Sequence, residues 1–360
     1  MNPARRAWLL ALAAAWAGGA RADASAKAIA LPRDFGAHPE QRIEWWYVTG
    51  WLAAPDGGLP YGFQLTFFRS RTNVAADHPS RFAAKQLLFA HAAVTDLRRG
   101  RLRHDERIAR AGFGLAEAAT ADTDLRLRGW RLAREGPVGG HHYLARIDAD
   151  GPGFGLDLRF DATQPVLLQG EAGWSRKGPE PAQASRYLSE PQLAVTGRLR
   201  LDGQALTVHG RAWLDHEWSD TLLPPDAVGW DWIGMNLADG GALTAFRLRR
   251  RDGSALWAGG SHRPRGGTVR AFGPDEVRFT PLRHWTSPAT AARYPVQWRV
   301  DTPVGAYEVR ARLDAQELDS RRSTGTVYWE GLSELHAVDG HAALGRGYLE
   351  MTGYAGALRL

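Results

Sequence analysis

Cysteine is missing from all 360 positions of the sequence. Its absence excludes disulfide bonds and a lipid-modified cysteine, so a chain that leaves the cytoplasm must be stabilised by its own core. Long apolar runs are also scarce, and no segment beyond the N-terminal region is long and apolar enough to span a membrane. The length allows a large core, which we expect to be divided between two units.

The N-terminus has the pattern of a secretory signal peptide. A short basic region ending at Arg6 precedes the apolar stretch Ala7–Ala17, and Ala20-Arg21-Ala22 then provides a small-x-small cleavage site. We expect residues 1–22 to be removed, with an uncleaved membrane anchor as the alternative. The alanine- and arginine-rich composition of this region favours a bacterial, periplasmic protein that is not a lipoprotein.

The formal net charge is +6, almost all of it from arginine, yet the chain lacks a compact basic tract. The arginines are scattered and alternate with apolar residues, as in Leu125-Arg126-Leu127-Arg128, which places them on the solvent face of a strand. We therefore expect no nucleic-acid partner. Weak peripheral contact with anionic lipid surfaces is more plausible.

Alternation of apolar and polar residues dominates the chain and predicts an antiparallel all-β protein. The runs are short, rich in aromatic and β-branched residues, and separated by Asp-Gly dipeptides of the kind found in hairpin turns. We expect the strands to close into barrels or to pack as sandwiches, because open sheet edges are a liability. Ser287–Arg293 is predicted as a short helix or a turn. The alternating runs are Gly62–Phe68, Leu125–Leu132, Tyr143–Ile147, Phe154–Phe160, Val296–Val300 and Tyr307–Leu313.

The chain also repeats itself weakly over a long period. Both Trp45–Arg69 and Trp230–Arg250 consist of an aromatic strand, an Asp-Gly-Gly turn and a strand ending in Thr-x-Phe-Arg. Further along each half, Asp202–Gly210 aligns without gaps with Asp339–Gly347. Two matches in the same order favour a duplicated β-domain, with its border near Ser219–Ala227.

Tryptophan is abundant, with 15 in 360 residues, and several lie beside ionisable residues. Three segments show this pattern: Glu44-Trp45-Trp46-Tyr47, Trp213-Leu214-Asp215-His216-Glu217-Trp218 and Trp230-Asp231-Trp232. Tryptophan combines a large apolar surface with one N–H donor. Its clustering with charge predicts an apolar pocket with a few aimed polar groups, as small-molecule sites have. The alternative is that these aromatics fill cores.

The segment Asp215-His216-Glu217 is the first candidate for acid–base chemistry. In an extended strand His216 and Trp218 share one face, and Asp215 and Glu217 share the other. If His216 faces a barrel lumen, it is a proton donor or acceptor with a suitable pKa. The alternative is a structural role at the domain junction.

Three further acids accompany this segment. Asp231 is predicted to orient His216 or to relay a proton. Glu44 is a second candidate acid, because an apolar pocket would raise its pKa, and Glu330 is a third. Other chemistries are weak: the histidines form no metal-binding signature, and Ser175 with Lys177 is a minor candidate nucleophile pair.

Motifs along nearly the whole mature chain resemble those of AttH-type secreted proteins, which are related to the carotenoid hydratase CrtC. The resemblance implies two tandem antiparallel lipocalin-like β-barrel domains, here residues 31–218 and 219–360. It also implies either hydratase or hydrolase activity, or an accessory role beside an ABC-type transport system. The sequence departs from the family at Tyr187-Leu188, where members often have an aromatic pair. The matching segments are Phe35–Gly50, His91–Asp96, Gly173–Gly178, Tyr187–Ser189, Trp213–Trp218, Gly229–Trp232, Tyr294–Trp298, Tyr328–Gly331 and Gly345–Tyr354.

We therefore predict a periplasmic protein that binds an extended apolar molecule, isoprenoid or acyl, and hydrates or hydrolyses it without metal or organic cofactor. The alternative is a non-enzymatic lipid carrier serving an envelope ABC-type transporter, and sugar binding on tryptophan platforms is a third hypothesis. The candidate catalytic residues are His216, Asp231, Glu44, Asp215 and Glu217. The candidate ligand-binding residues are Trp45, Trp46, Tyr47, Trp218, Trp230, Trp232, Tyr187 and Tyr328.

Overall fold

The computed structural model describes residues 28–58, 60–75, 77–221 and 223–358. The predicted signal peptide, residues 1–22, lies outside the described residues. Within the described ranges the regular structure is β-strand, apart from a single 3-10 turn at Arg33–Phe35. No helix in this part of the chain has the length and apolarity to cross a membrane.

Twenty-three strands, numbered in chain order, account for this architecture. They are β1 (Ile43–Ala53), β2 (Tyr61–Arg71), β3 (Gln86–Asp96), β4 (Arg101–Arg110), β5 (Ala116–Ala118), β6 (Asp124–Leu127), β7 (Trp130–Glu135), β8 (His142–Ala149), β9 (Phe154–Asp161), β10 (Leu167–Leu168), β11 (Trp174–Arg176), β12 (Ala184–Leu201), β13 (Gln204–Ser219), β14 (Gly229–Leu237), β15 (Ala242–Arg249), β16 (Ala255–Arg263), β17 (Arg270–Phe272), β18 (Arg278–Thr286), β19 (Arg293–Thr302), β20 (Gly305–Ala311), β21 (Glu317–Ser320), β22 (Thr326–Ala337) and β23 (Ala343–Met351).

The strands form two curled antiparallel sheets, one a near-barrel and one a half-barrel. The first sheet has the order β4-β3-β2-β1-β13-β12-β9-β8-β7-β6-β5, and the second has the order β17-β16-β15-β14-β23-β22-β20-β19-β18. In both sheets the first hairpin of the unit pairs with its last hairpin, β1 with β13 and β14 with β23. The prediction of an all-β chain built as two lipocalin-like barrels is confirmed.

The strands at the middle of each sheet, β1 and β13 in the first and β14 and β23 in the second, have one face toward their own core and one face toward the other sheet. The two cores are separate clusters of buried apolar side chains, one in each unit. A third cluster draws on both sheets and includes Tyr47, Trp213, Trp232 and Tyr348. We call the region between the facing sheets the seam. Because side chains alternate along a strand, each strand at the seam supplies residues both to the seam and to a core.

The structure corrects one local prediction and decides between the two alternatives of another. The run Leu125–Leu132 is a hairpin rather than one strand, since Arg128 and Gly129 have φ angles of 48° and 88° and turn the chain between β6 and β7. Two successive positive φ angles suit the tight turns that match the twist of paired strands. Ser287–Arg293 is a turn leading into β19, the second of the two predicted possibilities.

Candidate functional site

A cavity of about 330 Å³ lies in the seam and is lined by both sheets. Its apolar wall is mostly aromatic: Trp45, Tyr47, Phe68, Phe89, Tyr187, Trp230, Trp232, Phe246 and Tyr328 line it. This volume is near the lower end of the ~300–1,000 Å³ usual for small-molecule sites. The cavity is therefore suited to a small apolar molecule or to one apolar segment of a longer one.

The two sheets present equivalent rows of side chains to the cavity. In the first sheet Trp45 lies opposite Phe68 on one neighbouring strand and opposite Glu217 on the other. In the second sheet Trp232 lies opposite Phe246 and Glu350 in the same arrangement. The duplication inferred from sequence thus places one Phe–Trp–Glu row on each wall of one cavity.

Five carboxyl side chains line this cavity: Glu44, which is paired inside the first barrel, and two from each sheet that face the seam, Asp215, Glu217, Glu330 and Glu350. Asp215, Glu217 and Glu330 are at most 5% exposed and Glu350 is partly buried, and the charges of Asp215 and Glu217 act on Glu350 across the seam. Carboxyl groups this close in a poorly solvated site cannot all ionise together at low cost. The cluster is thus organised to hold protons at neutral pH.

Asp215, on β13, is positioned by hydrogen bonds from its own strand and from β12. Its Oδ1 accepts hydrogen bonds from Ser189 Oγ at 2.5 Å and from Trp213 Nε1 at 2.7 Å. Burial raises the pKa of Asp215 to about 7, although these hydrogen bonds favour the ionised form. A carboxyl group with a pKa near ambient pH can both give and take a proton.

Glu330 and Glu350 lie directly opposite each other on β22 and β23. Burial, together with the negative charges of Asp215 and Glu217, raises the pKa of Glu350 to about 7, against a 3.0 Å hydrogen bond from Trp230 Nε1. Burial and the charge of Glu350 raise the pKa of Glu330 well above its usual value. Its environment therefore favours the protonated, uncharged form of Glu330.

Among the described residues, neither the oxygens of Glu330 nor the nearby hydroxyl of Tyr47 has a partner at full hydrogen-bond geometry. The Tyr47 hydroxyl is close enough to act only as a weak donor to Glu330. A buried polar group without a hydrogen bond costs stability. The presence of the Glu330 carboxyl group in a ligand-sized cavity, despite this cost, points to a functional rather than a structural role.

Glu217 has a different environment because a cation accompanies it. Its carboxylate lies 2.9 Å from Lys177 Nζ and also accepts a hydrogen bond from Ser185. Lys177 Nζ in turn lies 4.7 Å from the ring centre of Tyr187 and 4.5 Å from that of Phe246. This ion pair holds the Glu217 carboxylate in place and gives it a cationic partner that Asp215, Glu330 and Glu350 do not have among the described residues.

His216 does not face the cavity, which corrects the expectation of a histidine in a ligand-binding lumen. It is 1% exposed and points into the interior of the first barrel, where its Nε2 lies 2.9 Å from Glu44 Oε1. The alternation along β13 sends Asp215 and Glu217 to the seam and His216 to the interior. The predicted division of faces was correct, but the face that lines the cavity is the other one.

Glu44 is the centre of this interior cluster. It binds His38 Nδ1 at 2.7 Å and Arg69 Nε at 2.8 Å in addition to His216. Burial alone would raise its pKa, but the hydrogen bonds from His216 and His38 and the charge of Arg69 outweigh burial and lower the pKa to about 2. The expectation that Glu44 is held protonated is thus wrong, although it touches the cavity wall.

The atoms of His38, Glu44 and His216 that could ligate a metal lie within 4.8 Å of one another. Each histidine nitrogen, however, is within hydrogen-bond distance of the same carboxylate oxygen, and the other oxygen is bound by Arg69. The permanent positive charge of Arg69 beside Glu44 opposes a second cation there. The donor set is better explained as a hydrogen-bonded network that anchors the start of β1.

Asp231 is not brought to His216, which corrects the prediction of a relay between them. Its carboxylate lies 2.7 Å from Arg247 Nε and 3.2 Å from Arg249 Nε, and it accepts a 2.9 Å hydrogen bond from Tyr354. Asp231 is opposite Arg247 across the strands just as Glu44 is opposite Arg69 in the first sheet. It therefore has the structural role of a buried cross-strand ion pair inside the second barrel.

Six of the eight predicted ligand-binding aromatics line the cavity: Trp45, Tyr47, Tyr187, Trp230, Trp232 and Tyr328. Trp46 and Trp218 do not. Trp46 is 1% exposed and stacks on His216 at 4.4 Å, and Trp218 stacks on His38 at 3.9 Å, both inside the first barrel. These two residues face the interior because each is adjacent in sequence to a residue that faces the seam.

Sequence reasoning missed Glu350 as a site residue and considered Lys177 only as part of a nucleophile pair. Glu350 stands within a segment that matched the family, Gly345–Tyr354, which was the one sequence signal that could have drawn attention to it. Its correspondence with Glu217 follows from strand register alone, since Trp232 lies opposite Glu350 as Trp45 lies opposite Glu217.

We expect Glu330→Leu to raise the free energy of unfolding by about 1–3 kcal/mol at pH 7, because it removes a buried carboxyl group without a hydrogen bond. The folded-state pKa of Glu330 lies above its unfolded value of 4.5, so its contribution to stability is present below pH 4.5 and is lost as pH rises. The advantage of the variant should therefore grow between pH 4.5 and 7 in denaturant titrations. Glu117→Leu, at an exposed acid on β5 outside the cavity, is the control, and a destabilised Glu330→Leu would contradict the assignment.

Comparisons with known proteins agree with this architecture. A family model described as AttH-like matches residues 22–354. A proposed AttH from Nitrosomonas europaea, known from a crystal structure, is 48% identical with a TM-score of 0.83, over 91% of this chain and 98% of that chain. No curated protein matches the sequence.

Two more distant structures share the fold. Kievitone hydratase from Nectria haematococca is 14% identical with a TM-score of 0.69, over 91% of this chain and 93% of that chain. CghA, in a structure with Sch210972, is 14% identical with a TM-score of 0.53, over 92% of this chain and 97% of that chain.

Fold and site together define a class of protein: two tandem lipocalin-like barrels with an aromatic, carboxyl-rich cavity between their facing sheets. The family match and the similarity to the Nitrosomonas protein then identify the chain as a member of the AttH-like family. The resemblance drawn from its sequence motifs is thereby confirmed.

Proposed function

We propose that this protein is a hydratase-like enzyme that adds water to, or removes it from, an apolar small molecule in the seam cavity. The observation that carries the proposal is the presence of two carboxyl groups with pKa values of about 7, Asp215 and Glu350, in one aromatic cavity. At neutral pH each is close to half protonated, so one can act as acid while the other acts as base. Glu330 adds a third carboxyl group, whose environment favours the protonated form.

Hydration of an alkene can be written with these groups alone. The protonated carboxyl group donates its proton to one alkene carbon, the π bond breaks, and the neighbouring carbon becomes a cation. Water adds to that carbon through its oxygen, and the second, ionised carboxylate accepts the proton that the water loses. One water has then been added, and the two carboxyl groups have exchanged protonation states. The same steps in reverse describe dehydration.

The walls of the cavity are suited to the cationic intermediate. The faces of Trp45, Trp232 and neighbouring aromatics attract a cation through their quadrupoles, and Glu217, held beside Lys177, presents its carboxylate at the same wall. Lys177 holds the Glu217 carboxylate at the wall of the cavity. The carboxylate therefore does not have to move when positive charge develops on the substrate. The shared fold with kievitone hydratase supports a hydratase-like reaction without identifying the substrate.

A second candidate function, a lipid carrier serving an envelope transporter, is favoured by one surface feature. Phe82 and Phe113 are 70% and 51% exposed, stack at 5.4 Å, and lie under the guanidinium of Arg110. Arg110 is opposite Leu87, which is opposite Ser70 in the cavity wall. An exposed aromatic and basic patch near the cavity fits contact with an anionic membrane. Export to the periplasm through residues 1–22 belongs to both proposals.

Organic extraction of the purified mature protein, followed by mass spectrometry, tests the two functions. We expect an alkene-bearing isoprenoid or related apolar molecule together with a species one water heavier, and the lighter species should be converted when it is returned to fresh protein. Phospholipid or fatty-acyl species that remain unchanged on incubation would overturn the enzyme in favour of the carrier.

A further inference from the structure

A second cleft lies at the opposite end of the seam from the aromatic cavity. Along β1 the aromatic cavity is lined by Trp45 and Tyr47, and the second cleft by Trp51. Along β23 the two sites are separated in the same way, with Arg346 in the cleft and Glu350 in the cavity. The cleft has a volume of about 1040 Å³ and is built from both sheets and from the segments 163–166 and 263–269.

The charges of the two sites are opposite in sign. The aromatic cavity is lined by five carboxyl groups and two cationic side chains. The second cleft is lined by four arginines and one acid, Asp239, which leaves an excess of three positive charges. We call this site the basic cleft, and its four arginines are Arg211, Arg263, Arg265 and Arg346.

Three of these arginines have no carboxylate partner among the described residues. Arg211 donates to the backbone oxygen of Gln192 at 3.1 Å, Arg265 is exposed, and only Arg346 is paired with an acid, at 2.8 Å from Glu334. Arg346 also lies over the ring of Trp51, at 5.1 Å from its centre. Three guanidinium groups therefore remain without an anionic partner in one concave site.

Arg263 is the most informative of the four because it is only 6% exposed. It donates to the backbone oxygen of Pro165 at 2.6 Å and to Gln164 Oε1 at 2.8 Å, which are neutral acceptors. A buried charge that is solvated only by neutral groups is costly unless an opposite charge comes near it. An anion in the cleft would supply that charge.

We propose that the basic cleft binds the phosphate group of an anionic ligand. Guanidinium groups match phosphate oxygens with paired hydrogen bonds, and an excess of three positive charges suits a multiply charged group better than a single carboxylate. The phosphate has two possible sources, a soluble phosphate compound or a lipid headgroup. The exposed side chains of Val269 and Leu344, 38% and 41%, lie at or beside the cleft and would contact lipid chains.

This proposal is independent of the chemistry assigned to the aromatic cavity. The two sites share no lining residue. A ligand in the basic cleft would contact the first sheet through Arg211 and the second unit through Arg346 on β23 and Arg265 in the loop between β16 and β17. Its binding would therefore also hold the two units together.

Isothermal titration with pyrophosphate and with a short-chain phosphatidate tests the site on the mature protein. The double variant Arg211→Gln/Arg265→Gln changes two exposed side chains, and Arg251→Gln, an exposed arginine following β15, is the control for loss of charge. We expect at least one of the two probes to bind, at least tenfold more weakly to the double variant than to the wild type or to the control. Binding should also weaken as salt is raised.

The arms of the titration distinguish the two sources. Binding of both probes with similar affinity indicates a soluble phosphate ligand, whereas clearly tighter binding of the phosphatidate indicates a lipid headgroup. The site is overturned if neither probe binds, or if the double variant binds as well as the control. Neither variant changes a residue of the aromatic cavity. Phosphate binding is therefore measured separately from conversion in that cavity, and failure of the enzyme proposal would not change the titration.

Discussion

Asp215→Asn and Glu350→Gln should each lower the turnover of the extracted molecule by about 10²–10⁴-fold, the range by which a positioned acid or base accelerates a reaction. Each substitution keeps the size of the side chain and removes its ability to exchange a proton. Binding of the molecule, followed by tryptophan fluorescence, should change little, since the aromatic wall is intact. The effect is therefore expected on kcat rather than on KM.

The pH profile gives a second measure of this assignment. With two groups of pKa about 7, kcat/KM of the wild type should fall on both sides of neutrality, and the apparent values belong to the coupled pair. Either substitution should remove one side of the profile. Glu308→Gln, on β20 away from the cavity, is the control for loss of a carboxyl group. Full turnover by both site variants would exclude the proposed acid–base pair.

The fold could be predicted from sequence to a large extent because its signals are local. Period-two alternation and Asp-Gly turns identified the strands, and the aligned hairpins identified the duplication. The exception, Leu125–Leu132, failed because Arg128-Gly129 forms a tight turn inside a run that alternates without a break. Such a turn leaves the alternation on either side intact, so the pattern alone could not reveal it.

The site was harder to predict because alternation does not say which face of a strand meets a cavity. In Asp215-His216-Glu217 the sequence separated the faces correctly, but the choice between the barrel interior and the seam depends on how two barrels pack. His216 and Asp231 lie in the interiors of separate barrels. Two residues that belong to similar tryptophan-rich motifs in the sequence are therefore far apart in the structure. Glu350 emerges only when the register of β14 and β23 is known.

The alignment of the two halves also draws attention to Gly210 and Gly347, which match in sequence. The structure gives one reason for glycine at both positions. Each residue belongs to the last strand of its unit and packs against the backbone of the first strand of that unit. A Cβ atom at Gly210 would be 1.8 Å from the backbone oxygen of Trp51, and one at Gly347 would be 1.9 Å from that of Gly234. Both contacts are with backbone, so no side-chain rotation can relieve them.

Gly347→Ala should therefore lower the free energy of unfolding by about 3 kcal/mol, at the upper end of the usual cost of overpacking. The strain falls between β14 and β23, which carry Trp232 and Glu350 opposite each other in the cavity wall. Thermal or denaturant unfolding measures the loss, and we also expect weaker ligand binding in the protein that remains folded.

Gly151→Ala is the matched control, because a Cβ there meets nothing within 4 Å and its φ is not positive. It should change stability by less than about 0.5 kcal/mol, as surface substitutions usually do. If Gly347→Ala were as stable as Gly151→Ala, the close approach of the first and last strands would be wrong. The equivalence of the two cavity walls would then lose its geometric basis, because it depends on the strand register that pairs Gly347 with Met235 and Glu350 with Trp232.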